Sequence, residues 1–170
     1  MTLLAFTFMT YVILGLTAPL FTELEMTFLA PELAVGILMA CSGFLPRMSF
    51  IFFALIMGAL LDGFFPLAPL GLHMERLVLL AYATRGLMSI IPARTIPTRI
   101  LLGMLLSCIS DFILFLLLAI FDHSFSGHAV IFKRLIPHAL ITGITVPVLD
   151  LVFNFAGRRL TLKKDRIFFS

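Results

Sequence analysis

From Ile100 to Phe121 the chain carries a single charged side chain, Asp111. About 20 apolar residues are what an α-helix needs to cross the hydrocarbon core of a bilayer, so this stretch is predicted to be a transmembrane helix. Five further apolar runs flank it. Leu3 to Phe21 has no preceding Lys or Arg and outlasts a signal-peptide core, so it reads as a retained helix. Leu33 to Leu45 is a short second span that stops at Pro46 and Arg47, and Ser49 to Phe65 a third, interrupted late by Asp62 and Gly63. Leu72 to Ile91 and Leu135 to Ala156 complete the set, bounded by Pro, Gly or charges. The loop Phe65 to Leu72 is itself apolar, with Pro66, Pro69 and Gly71, and is expected at the interface or folded partly back. The expected fold is an all-α integral membrane protein, a six-transmembrane-helix bundle over 1–157 with a basic cytoplasmic tail over 158–170.

Composition closes off other classes. The 170 residues are 61% hydrophobic and 12% charged, with a mean hydropathy of +1.16, whereas soluble domains are about 25% charged. No length remains for a separate catalytic module. The net charge of +3 is split between short loops and the tail, so a nucleic-acid partner is not expected. Cys41 and Cys108 lie in apolar runs without metal or disulfide spacing and read as packing residues.

Orientation follows from Lys and Arg in short loops. With six spans and the N-terminus inside, Arg47, Arg85, Arg94, Arg99, Arg158, Arg159, Lys163, Lys164 and Arg166 fall on the cytoplasmic side, against Arg76, Lys133 and Arg134 outside. Both termini are therefore expected in the cytoplasm.

Ionisable groups at membrane depth are expensive and mark the bundle interior. Arg85 and Asp150 count to about 20 Å and 23 Å below the outer boundary at 1.5 Å per residue, which predicts that they pair between spans four and six. Asn154 and Arg158 continue the Asp150 face at four-residue intervals and offer that carboxylate a second partner. Asp111 and Asp62 fall in the outer half, near Arg76 and His73, where a polar cluster is expected. Such a cluster is either an interhelical latch or a proton or substrate pathway, and the scatter of the acids in depth favours the latch.

Catalytic and metal signatures are absent from the sequence. His73, His123, His128 and His138 show no metal-ligand spacing on one helix, and there is no nucleophile elbow, P-loop or dinucleotide fingerprint. No enzyme, metal or cofactor is expected. The tail places Arg158, Arg159, Lys163, Lys164 and Arg166 just inside the membrane, where anionic lipid contributes about 1 kcal/mol per basic residue. Lipid contact is the simplest role, and docking of a cytoplasmic protein the alternative.

The segment Gly58 Ala59 Leu60 Leu61 Asp62 Gly63 Phe64 Phe65 Pro66 Leu67 Ala68 Pro69 Leu70 Gly71 Leu72 His73 resembles the signature of the rod shape-determining MreD family. There, a glycine- and leucine-rich helix ends in an aspartate and a short proline loop leads into the next helix. Pro31 Glu32 Leu33 resembles the family's usual opening of span two, whereas the acid-rich first loop, Asp111 and Asp150 match no family pattern. The resemblance implies a non-enzymatic subunit of the bacterial inner membrane, part of the cell-elongation machinery, bound to MreC and working near RodA, a penicillin-binding transpeptidase and MreB. It also implies a bundle similar to the substrate-binding subunits of energy-coupling-factor transporters. Asp62, Pro69, Gly71 and His73 become the motif positions, with Asp62 expected to cap or clamp the Pro69 to His73 turn. The rival reading is a transporter-type binding subunit, with Asp62, Asp111 and His73 lining a pocket for a small vitamin-like molecule.

Overall fold

A computed structural model describes the backbone of residues 2–23, 31–64, 69, 71–91, 95–121 and 128–167, with side-chain surroundings over 3–17, 31–64, 69, 71–91, 95–121 and 135–155. The described residues form six helices and no strand: α1 (Thr2–Glu23), α2 (Leu33–Ser42), α3 (Arg47–Phe64), α4 (Leu72–Ile90), α5 (Ile96–Phe121) and α6 (His128–Ile167). Three segments are long and apolar enough to cross a membrane, Arg47–Phe64, Ile96–Phe121 and Leu135–Phe155. The chain has the helices of a membrane protein.

The helices are arranged around the shortest of them. All residues of α2 from Ala34 to Cys41 are buried, as expected of a helix that is apolar on every side. At 1.5 Å per residue its ten residues measure about 15 Å, half a hydrocarbon core. Helices α3, α4, α5 and α6 pack around it, α1 packs mainly on α3 and also touches it, and consecutive helices from α3 to α6 lie side by side. Phe6 of α1 reaches inward, its ring 5.9 Å from Phe153 and 5.8 Å from Phe44.

Outward faces are apolar as well. Phe8, Phe52, Phe112, Ile144, Val148 and Leu151 are all more than half exposed, an arrangement that water would penalise and a lipid environment accommodates.

Several helix boundaries differ from expectation: α2 ends at Ser42 rather than Leu45, α3 begins at Arg47 rather than Ser49, and α5 and α6 are longer than the apolar runs that announce them. Helix α5 begins at Ile96, where the Thr95 amide donates to the Thr98 hydroxyl and the Thr98 amide to the Thr95 hydroxyl across its first turn. Helix α6 runs from His128 to Ile167, through Pro137 and Pro147 and on into the basic segment. The apolar face that α6 lays on α2 and α5 extends across the loss of one backbone donor at each proline.

Close helix contacts fall at glycines. A methyl group on Gly58 would sit 2.7 Å from the His73 carbonyl oxygen, so α3 and α4 meet backbone to backbone there. At Gly103 it would meet Val146 at 2.7 Å and the Gly143 Cα at 3.3 Å, which sets the α5–α6 approach. Gly58→Ala is therefore expected to destabilise the chain by about 1–3 kcal/mol in thermal unfolding in detergent. Gly63→Ala, with nothing within 4 Å of the added carbon, should leave the midpoint unchanged or slightly raised.

Candidate functional site

Polar side chains collect in two layers, one at each end of α2. At its start, the motif turn comes first. Gly71 has φ of 92°, a left-handed conformation that favours glycine, and directly precedes α4. Asp62, near the end of α3, accepts hydrogen bonds from the Gly71 amide through Oδ2 at 3.1 Å and from the His73 amide through Oδ1 at 3.0 Å. Neither Gly71 nor Leu72 supplies a capping side chain, so the carboxylate of another helix satisfies amides at the start of α4. It also places a negative charge at the positive end of the helix dipole. Pro69 is exposed, and its carbonyl accepts from the Leu72 amide at 3.1 Å.

Beside this turn lies a buried network drawn from four parts of the chain. Glu32, the residue before α2, forms an ion pair through Oε1 with Arg76 of α4. Ser110 of α5 links the same two residues: its hydroxyl donates to Glu32 Oε1 at 2.6 Å and accepts from Arg76 Nε at 2.9 Å. The Glu32 amide donates to Thr142 Oγ1 of α6 at 2.9 Å. Next to Ser110, Asp111 Oδ2 lies 2.9 Å from His138 Nδ1 of α6. All of these groups are buried. One atom of that network is not satisfied: Glu32 Oε2 is buried without a hydrogen-bond partner, a condition that costs about 1–3 kcal/mol. One potential ligand atom from each of Glu32, Asp111 and His138 lies within 4.8 Å of the other two.

At the other end of α2 the expected pairing of Arg85 with Asp150 is not formed. Arg85 instead donates to the carbonyls of Ser42 and Leu45, just where α2 finishes, and its guanidinium carbon stands 4.9 Å over the Phe50 ring. The last carbonyls of a helix lack intrahelical donors and carry the negative end of its dipole, so they attract a cation. Asp150 is paired with Arg99 at the start of α5, because α5 is the direct neighbour of α6 while α4 packs on α3 and α5. Matching depths along two helices fixed height and left direction around each axis undetermined. Asn154 lines a cavity of about 280 Å³ together with Arg99, Asp150 and Ser42. The side chains of Glu23, His128, Lys133, Arg134, Arg158, Arg159, Lys163, Lys164 and Arg166 lie outside the described residues, as do Glu25, Arg94 and His123 altogether.

Ser110, Thr142 and His138 carry no sequence signal for this network. Glu32 is recognisable in the sequence only as the opening of span two, and it stands one residue before an apolar run, where a charge is carried inward with the helix it precedes. His138 was tested only for spacing within one helix, and the partners it meets come from elsewhere in the chain. Asp62 and Asp111 engage separate partners, the turn amides and His138, rather than one another.

No family model, curated protein or solved structure matches the chain.

Removing one member of a buried ion pair leaves an uncompensated charge, at about 3–5 kcal/mol. Arg76→Met is expected to destabilise the detergent-solubilised protein by that amount, and the double replacement Glu32→Leu with Arg76→Met to recover most of it. Equal, additive losses in the double-mutant cycle would show that the two do not act as a pair.

Proposed function

We propose that this chain is a non-enzymatic scaffold of the bacterial inner membrane, of the MreD kind, whose role is to hold an MreC-like single-span partner and so help position cell-wall synthesis during elongation. The observation that carries this reading is the Asp62 clamp. The segment that resembles the family signature is an architectural device, in which an aspartate of one helix fixes the glycine turn and first amides of the next. RodA, the penicillin-binding transpeptidase and MreB enter as neighbours of that assembly.

In this reading the chain crosses the bilayer six times with both termini in the cytoplasm, as a bundle similar to energy-coupling-factor binding subunits. Helix α2 then makes its crossing inside protein, where about 15 Å of helix suffices because Arg76 and Arg85 meet its two ends. Charge distribution supports the orientation, with nine of twelve cationic side chains on the cytoplasmic side.

The rival, a binding subunit for a small vitamin-like molecule, requires Asp62 to be available to a ligand. Its two carboxylate oxygens already hold the Gly71 and His73 amides, which favours the scaffold.

Copurification decides between them. The full chain, tagged and extracted in detergent from its own cell, is expected to bring down a single-span MreC-like protein in stoichiometric amount; its absence, with a retained small molecule in its place, would overturn the scaffold reading. Orientation is checked separately. In a chain with Cys41 and Cys108 replaced by alanine, Lys163→Cys should resist a membrane-impermeant thiol reagent in intact cells and His128→Cys should react.

A further inference from the structure

We propose that Glu32, Asp111 and His138 bind one divalent transition-metal ion of the zinc class, joining the start of α2 to α5 and α6. The inference goes beyond the scaffold reading and concerns the purified chain alone.

Three observations support it. First, the donor set is mixed, two carboxylates and one imidazole, which suits zinc and its first-row neighbours; an all-oxygen cage would suit magnesium or calcium, and a thiolate set copper(I). Secondly, the ligand atoms already converge. Each of the three residues has one within 4.8 Å of the other two, and Asp111 Oδ2 and His138 Nδ1 stand 2.9 Å apart. Two ligands on a tetrahedral ion with bonds of about 2.0 Å are roughly 3.3 Å apart, so that pair needs only a small separation once the ring nitrogen gives up its proton. Thirdly, Glu32 supplies an unused acceptor. Its side chain is 7% exposed, its Oε1 is held by Arg76 and Ser110, and its Oε2 is buried without a partner. Coordination through Oε2 would leave both existing bonds in place.

Charge balance allows it. With Glu32 and Asp111 ionised, His138 neutral and Arg76 alongside, the group carries −1, and a dication brings it to +1. Zinc sites of two histidines and one glutamate have the same total. Arg76 and Ser110 become the groups that orient the Glu32 ligand, and Ser110 acts through Glu32 rather than on the ion.

The test uses the full chain in detergent with its purification tag removed, stripped by chelator and titrated with Zn²⁺, and separately with Co²⁺ read by visible absorption. One equivalent of saturable Zn²⁺ is expected, with cobalt bands that Zn²⁺ displaces. Asp111→Asn and His138→Gln should each abolish both signals, Ser110→Ala should weaken binding roughly 10- to 100-fold, and a joint His123→Ala and His128→Ala variant should bind like wild type. Circular dichroism verifies folding, and if one ligand variant does not fold, the other and Ser110→Ala decide. Lack of saturable binding by the wild type would overturn the proposal. So would unchanged affinity in the folded ligand variants, loss of binding in the joint histidine variant, or equal affinity for Mg²⁺ and Ca²⁺.

Discussion

A ten-residue helix sealed in the centre of a bundle has nowhere to hide its ends, and that constraint organises this molecule. The first amides and last carbonyls of any helix lack partners within it. The start of α2 has no side-chain cap of its own, while at its end the Ser42 hydroxyl and the turn that follows reach the Met39 and Cys41 carbonyls. Its neighbours supply further partners. At the start, the Glu32 amide bonds Thr142 of α6 while the Glu32 carboxylate is held by Arg76 of α4 and Ser110 of α5. At the finish, Arg85 of α4 reaches the Ser42 and Leu45 carbonyls. The two polar layers of the bundle are thus the two ends of α2, and both recruit an arginine from the same helix, α4, nine residues apart.

Between those layers, packing does the work that charge does at the ends. The apolar attraction that drives soluble cores is weak between helices in lipid, so close van der Waals contact becomes the main source of association. Small residues recur where helices cross: Gly36 of α2 faces Leu149, Gly58 faces the backbone of α4, and Gly103 faces Gly143 and Val146. Polar bonds at the ends and small residues in the middle together fix both the height and the separation of the helices. Neither would suffice alone, since a salt bridge can rotate about its side chains and a smooth apolar contact can slide.

How much of this was legible in the sequence depended on whether a feature was local. Helix number, all-α character and the relation of Asp62 to its turn were readable, because apolar run length, prolines and a glycine act within a few residues of where they sit. Partners across the bundle were not. Arg85 and Asp150 share a depth, yet rise per residue contains no information on azimuth, and the carbonyls of α2 are invisible to any search for opposite charge. Glu32 is visible in the sequence as the residue that opens the second span, but its partners Arg76 and Ser110 stand on other helices and leave no local trace. The Asp111 and His138 contact joins residues 27 apart on different helices, and no periodicity within one helix points to it.

The same distinction bears on what a family-like segment conveys. Asp62 and Gly71 are required by backbone geometry: one accepts two amides, and the other adopts a conformation with φ of 92° that a side chain would strain. His73 contributes its backbone amide to that clamp. A segment built this way sets the angle at which α4 leaves α3, and through Arg76 and Arg85 on α4 it sets the position of both ends of α2. The influence of Asp62 therefore extends from one turn to both ends of the central helix.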